Sequence, residues 1–180
     1  MMGMPVITTA LLFADGATSH NTFSQEAEYL LSDSAEEDWY NGAKRTFECT
    51  KLTSALSWYA VLKNYGEGIF EDYLNRQFDL ARTFADFIRE RPDWDLACEP
   101  QANILCFRWA PKGFSDEKLN EINAQIRQKT LEEGRFYIVQ TRLKGLHYLR
   151  TSLMNPFTRQ THLEELLEYL EGLGASLLPH

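Results

Sequence analysis

The stretch "GLHYLRTSLMNP", residues 145–156, sets an arginine among bulky apolar side chains. Leu146, Tyr148, Leu149, Leu153 and Met154 read as a strand that enters a core, and Arg150 interrupts it. A guanidinium is always charged and costs several kcal/mol to bury without a partner. Two readings follow. Arg150 sits on an edge strand and points at water or a local carboxylate, or it awaits an anionic ligand, since its planar fork matches a carboxylate or phosphate. The other reactive residue types form no comparable pattern. Cys49, Cys98 and Cys106 are few, odd in number and without metal-ligand spacing, which reads as reduced thiols. His20, His147, His162 and His180 are scattered and suggest no zinc site.

The elements that would carry Arg150 can be read from periodicity. "PVITTALLF", residues 5–13, is β-branched and apolar, as in a strand buried on both faces. Asp15-Gly16 supplies turn chemistry. Residues 21–31 have a short helical pattern, and residues 32–44 read as an exposed loop. Leu52, Ala55, Leu56, Tyr59 and Lys63 form the stripe of a helix ending near Tyr65, broadened by Trp58, Val61 and Leu62, so most of it is expected to be buried. A longer helix runs from Phe70 through Tyr73, Leu74, Gln77, Ala81, Phe84, Ala85 and Ile88, and Pro92 stops it. Strands are expected over 93–99 and 103–110, on either side of Pro100. Ser115, followed by Asp116 and Glu117, marks a helix start, and Gly134 suits its end. "RFYIVQTRL" and "LHYLRTSLM" read as a hairpin turning at Lys144-Gly145. Thr158 or Thr161 is expected to cap a last helix, with Thr161 and Glu164 spaced for a capping box. Its apolar stripe is Leu163, Leu166, Leu167 and Leu170.

From residue 70 the order is helix, strand, strand, helix, strand, strand, helix. That order predicts an α+β layer with a four-stranded, mainly antiparallel sheet and helices on one face. The first 45 residues do not belong to that layer, and their apolar strand reads as the last strand of a larger sheet. The chain has 180 residues, a formal net charge of −8 and a pI of about 5.0. This acidity, without a local Lys/Arg cluster, argues against nucleic acid or an anionic membrane as the main partner. The apolar run "MPVITTALLF" is too short to span a bilayer and lacks a basic flank.

The order and letters of several stretches resemble the C-terminal part of the group II pyridoxal-phosphate-dependent amino-acid decarboxylases. They are "MMGMP" before the first strand, "AEYLL", "RTFECTKLTSALSWYAVLKNYGEGIF", "EPQANILCFRW", "GRFYIVQTRLKGLHYLRTSLMNPFT" and the final Leu-rich helix. The resemblance covers essentially the whole chain. It implies an α/β enzyme of fold type I: residues 1–45 as a remnant of the large cofactor domain, 46–69 as a linking helix and 70–180 as the C-terminal small domain. The implied activity is a carboxy-lyase that releases carbon dioxide from an amino acid. The implied cofactor is pyridoxal 5'-phosphate, and the implied state is a cytoplasmic homodimer whose interface includes "TKLTSALSWYAVLKNYG".

The family's Schiff-base lysine sits directly before the segment that Met1-Met2-Gly3 resembles. Most cofactor ligands lie further upstream, so the chain is expected to lack the main cofactor-binding residues and to be inactive alone. Lys44, Lys51 and Lys63 fall too late to replace that lysine. Two catalytic roles carry over by position. Arg150 matches an arginine that reaches toward a carboxylate of the bound amino acid. Tyr29 matches a loop tyrosine that helps protonate the carbon left when carbon dioxide departs; under another alignment the loop tyrosine is Tyr40. Arg108 and Asn155 read as structural. The function classes left open are a decarboxylase part, with the missing segment upstream or on a separate polypeptide, a catalytically inactive remnant, and a free α+β dimerisation or binding module.

Overall fold

The computed structural model describes residues 4, 10–23, 42, 46 and 52–178. The chain divides into two compact units, Met4–Asn64 and Tyr65–His180. In the first, α1 spans Gly16–Phe23. The expected turn at Asp15-Gly16 leads directly into α1. The Asp15 carboxylate accepts from the Ala17 N–H at 3.0 Å, and the Asp15 carbonyl from the Thr18 N–H at 3.1 Å, so the residue opens the helix as a cap. Of the expected strand over 5–13, residues 5–9 lie outside the described residues and 10–13 carry no strand pairing. The helical pattern beyond Phe23 and the loop at 32–41 also fall outside them. Helix α2, Ala55–Tyr65, forms where expected but buries none of its residues. Leu52 is 74% exposed, Leu56 62% and Tyr59 61%. The stripe was legible, but its burial is not observed.

In the second unit α3 spans Gly68–Arg89 and buries Gln77, Ala81, Phe84, Ala85 and Ile88 along one stripe. Strands β1 (Trp94–Leu96) and β2 (Ile104–Trp109) follow, then α4 (Asp116–Glu133), β3 (Val139–Leu143), β4 (Leu146–Ser152) and α5 (Gln160–Ser176). The sheet order is β1-β2-β4-β3, and every neighbouring pair is antiparallel. All three helices pack against strands of this sheet, and α5 packs on α3 and α4. Their common face of the sheet presents Leu105, Phe107, Trp109 and Leu149, which join Phe84, Ile88, Ile122, Ile126, Leu167 and Leu170 in one apolar core. The α+β layer read from the sequence is therefore the fold.

The ends of α4 are those the sequence announces. The Ser115 side chain accepts from the Lys118 N–H at 3.4 Å, and Gly134 closes the helix at φ 68°, a conformation glycine adopts without a Cβ penalty. The β3–β4 turn uses Lys144 at φ 51° and Gly145 at φ 83°, the positive pair that matches strand twist in a two-residue hairpin. Other boundaries moved. β1 keeps three residues of the expected seven, and β3 starts at Val139, while Arg135 before it lies over the Phe136 and Tyr169 rings. α5 is capped neither at Thr158 nor at Thr161. Its N-cap is Arg159, whose N–H donates to His162 Nδ1 at 3.2 Å. The Asn155 side chain accepts from the Phe157 N–H at 2.9 Å, and its carbonyl from the Thr158 N–H at 3.1 Å. That turn sets the chain direction, so helix begins between the two threonines.

Candidate functional site

Side chains alternate across a strand, so the even-numbered residues of β2 and β4 project from the face turned away from the helices. They include Cys106, Arg108, Tyr148 and Arg150. β4 lies between β2 and β3, so Arg150 is on an interior strand and not on the edge strand of the simpler reading. Cys106 pairs with it on one side and Val139 on the other. The residue is half-buried. Among the described residues no carboxylate forms an ion pair with it.

Arg108, two residues along the neighbouring strand, shows what a satisfied guanidinium looks like here. Its Nε donates to Asp95 Oδ2 and a terminal nitrogen to Asp116 Oδ1, both at 3.0 Å. Its Cζ lies 5.4 Å from the centroid of the Tyr148 ring, and the Tyr148 hydroxyl donates to the same Asp95 oxygen at 3.3 Å. Burial works against the Arg108 charge, but Asp116 and Asp95 outweigh it and raise its pKa, so the residue stays ionised. Burial first, and then the Asp95 carboxylate, push the Tyr148 phenol above its ordinary value, so it stays a donor. This cluster is a closed structural network. Arg150 beside it is not closed. Burial, with Cys98 adding to it, pushes the Cys106 thiol up, while the Arg150 charge works in the opposite direction.

Tyr29 and Tyr40, the candidates for the proton-donating role, lie outside the described residues. Asn155 orders the turn after β4, as its place before Pro156 suggested; the Tyr73 hydroxyl, on α3, donates to the adjacent Met154 carbonyl. The Arg108–Asp95–Tyr148 cluster was missed in the sequence. Its signal was the shared parity of 106 and 108 with 148 and 150, which is readable only once β2 and β4 are known to pair.

A Schiff-base lysine needs a desolvated pocket that lowers its pKa. Among the described residues Lys63, Lys112, Lys118 and Lys144 are exposed and Lys129 is half-buried. These lysines do not fit a cofactor pocket, and no step through pyridoxal phosphate can be built on them. The described residues also form no cluster suited to a metal ion, and contain no helix long and apolar enough to cross a membrane. A polar groove between α3 and the start of α5, lined by Asp72, Arg76, Asp79, Thr158 and Thr161, opens to solvent and does not include Arg150.

Comparison with known proteins gives this surface a context. The model of the pyridoxal-dependent decarboxylase conserved domain matches residues 1–110. Tyrosine decarboxylase 2 of Arabidopsis thaliana is 25% identical over 134 residues, which is 74% of this chain and 24% of that protein. L-2,4-diaminobutyrate decarboxylase of Acinetobacter baumannii is 25% identical over 159 residues, 88% of this chain and 31% of the relative. Among solved structures, the glutamate decarboxylase domain of diaminobutyrate-pyruvate transaminase and L-2,4-diaminobutyrate decarboxylase from Vibrio parahaemolyticus superposes with a TM-score of 0.65 at 25% identity, covering 71% of this chain and 27% of that one. Mouse CSAD superposes with a TM-score of 0.75 over 91% of this chain and 35% of its own, at 18% identity, a likeness of fold alone. The chain spans about a quarter to a third of the length of the curated relatives it matches.

Proposed function

Because this chain belongs to the pyridoxal-dependent decarboxylase family, we propose that it forms the C-terminal part of a carboxy-lyase that releases carbon dioxide from an L-amino acid. The family-model match over residues 1–110 carries this reading. In it, residues 1–45 belong to the large cofactor domain, 46–69 link, and 70–180 are the small domain. Pyridoxal 5'-phosphate is held mainly by residues other than the described ones. The enzyme works as a cytoplasmic homodimer in amino-acid metabolism. Two relatives are named for tyrosine and for diaminobutyrate, so the substrate is assigned here only as an amino acid.

Within that enzyme Arg150 binds a substrate carboxylate. Its half-burial on an interior strand, without a carboxylate partner among the described residues, supports the role: a guanidinium left open beside a closed Arg108 network is available to an anion. Tyr29, or Tyr40, returns a proton to the substrate carbon as general acid. The exposed stripe of α2 favours one second reading, a free α+β module that dimerises without catalysis.

The test joins the chain to a lysine-bearing cofactor segment of a relative and compares Arg150→Lys and Arg150→Met. Lysine keeps the charge and loses the fork; methionine loses both. A lost charge-assisted pair in a desolvated site is worth roughly 2–5 kcal/mol, so both variants should keep the cofactor spectrum and lose turnover by at least about tenfold, methionine more. Near-normal turnover in a folded Arg150→Met dimer would exclude the ligand role.

A further inference from the structure

The helix-covered side of the sheet carries a second basic group that none of this chemistry uses. Arg142 of β3 and His147 of β4 stand directly opposite each other in the antiparallel register, which puts their Cβ atoms about 5 Å apart. His147 shares its parity with Leu149 and therefore faces α4. Asn120 of α4 holds this corner in place: its Oδ1 accepts from the His147 N–H at 2.6 Å, and its Nδ2 donates to the Gly145 carbonyl at 3.1 Å. Arg127, seven residues further along α4, lies near enough for its charge to bear on His147.

Two of the corner's buried polar atoms have no partner. His147 is 5% exposed, and its Nε2 is buried without a hydrogen-bond partner. The Nε of Arg127 is also buried and unpartnered. Among the described residues neither Arg127 nor Arg142 forms an ion pair with a carboxylate. The charges that bear on His147 are Arg142 from β3 and Arg127 from α4, both positive. With burial, the larger effect, they hold its ring below the ordinary histidine range and so neutral. Arg142 is exposed, so the corner opens to solvent on that side.

We propose that this corner binds a phosphate group, with Arg127 and Arg142 as the charged forks and His147 Nε2 as the third donor. Donors from three elements suit a tetrahedral anion, whereas one fork satisfies a planar carboxylate. Two permanent positive charges and a third available on protonation suit a dianion. The ligand supplies the negative charge that the corner lacks, and His147 takes up a proton when it binds.

The experiment uses the 180-residue chain at constant ionic strength balanced with sodium chloride. Inorganic phosphate is titrated by calorimetry, and the His147 ring is followed by NMR with sulfate, a dianion across the neutral range, as the stand-in. Saturable phosphate binding is expected. Arg142→Gln and Arg127→Gln should each weaken it by about tenfold or more, Arg142→Lys by less, and the exposed Arg82→Gln not at all. Sulfate should raise the pKa of the His147 ring in the parent and not in Arg142→Gln. Glycerol phosphate distinguishes the source: equal or tighter binding assigns a phosphorylated metabolite, and loss of binding assigns the free anion. If Arg127→Gln does not fold, the exposed Arg142 decides the question. Phosphate affinity unchanged in Arg142→Gln, absence of binding in the parent, or a His147 ring unmoved by sulfate overturns the proposal.

Discussion

Asn123 is the side chain on which the end of β2 depends. It is fully buried and bonds only to main chain: its Oδ1 accepts from the Trp109 N–H at 2.9 Å, and its Nδ2 donates to the carbonyls of Trp109 and Leu119 at 2.8 Å each. The amide thus serves both backbone groups of Trp109 and fixes α4 against the strand. Asn123→Ala would strand both of them in the core, at a cost of about 2–4 kcal/mol. Asn123→Asp keeps the acceptor, loses the donor and should fall in the same range near neutral pH, since it also buries a charge. Urea unfolding measures both, and a loss below about 1 kcal/mol in either would contradict this account. Asn123 could not be picked out from the sequence. It sits in the same stripe as Leu119, Ile122 and Ile126, where one polar residue carries no mark of its partner. Arg150 was legible as an anomaly because its charge conflicts with its neighbours. Whether an acid answered it depended on β2 and β3 lying alongside.

At the scale of elements, α5 is seated by a glycine. A Cβ built on Gly174 would collide with the Trp109 ring, so the helix rests directly on the indole. Gly172, on the same helix, has nothing within 4 Å of that position. Gly174→Ala should therefore cost about 1–3 kcal/mol by forcing helix and indole apart. Gly172→Ala should raise stability by up to about 1 kcal/mol through helix propensity alone. Thermal or urea unfolding of the pair checks this, and equal effects of the same sign would refute the packing argument. The elements themselves were largely legible, because periodicity and end chemistry act within one turn of chain. Ser115, Gly134 and the Lys144-Gly145 turn are local decisions. The start of α5 was not, since Thr158 and Thr161 are both good caps and a turn at Asn155 chooses between them.

For the whole molecule the open question is what lies against α2. Leu52, Leu56 and Tyr59 leave a contiguous apolar stripe in water, and stripes of that kind mark association surfaces. Paired with itself in the proposed dimer, this chain should sediment as a concentration-dependent dimer. Leu56→Glu with Tyr59→Glu should shift it to monomer without loss of helical circular dichroism. A parent that stays monomeric at every concentration would remove α2 from the interface. The helix was legible from its stripe, but its burial was not, because an amphipathic pattern shows that a face is to be covered and not by what.

The strand order has a consequence for how the sheet assembles. β1 with β2 and β3 with β4 are joined by short connections, so each pair can close locally. The inner pairing, Phe107 with Leu149 and Cys106 with Arg150, joins residues separated by the whole of α4 and β3. Loop closure grows costlier with length, by about 0.6 kcal/mol for each doubling. The seam between β2 and β4 therefore bears the largest chain-entropy penalty in the sheet, and Arg150 lies on that seam. Its surroundings exist only once the two halves of the unit have met, so the residue with the clearest chemical promise is one that no hairpin can place by itself.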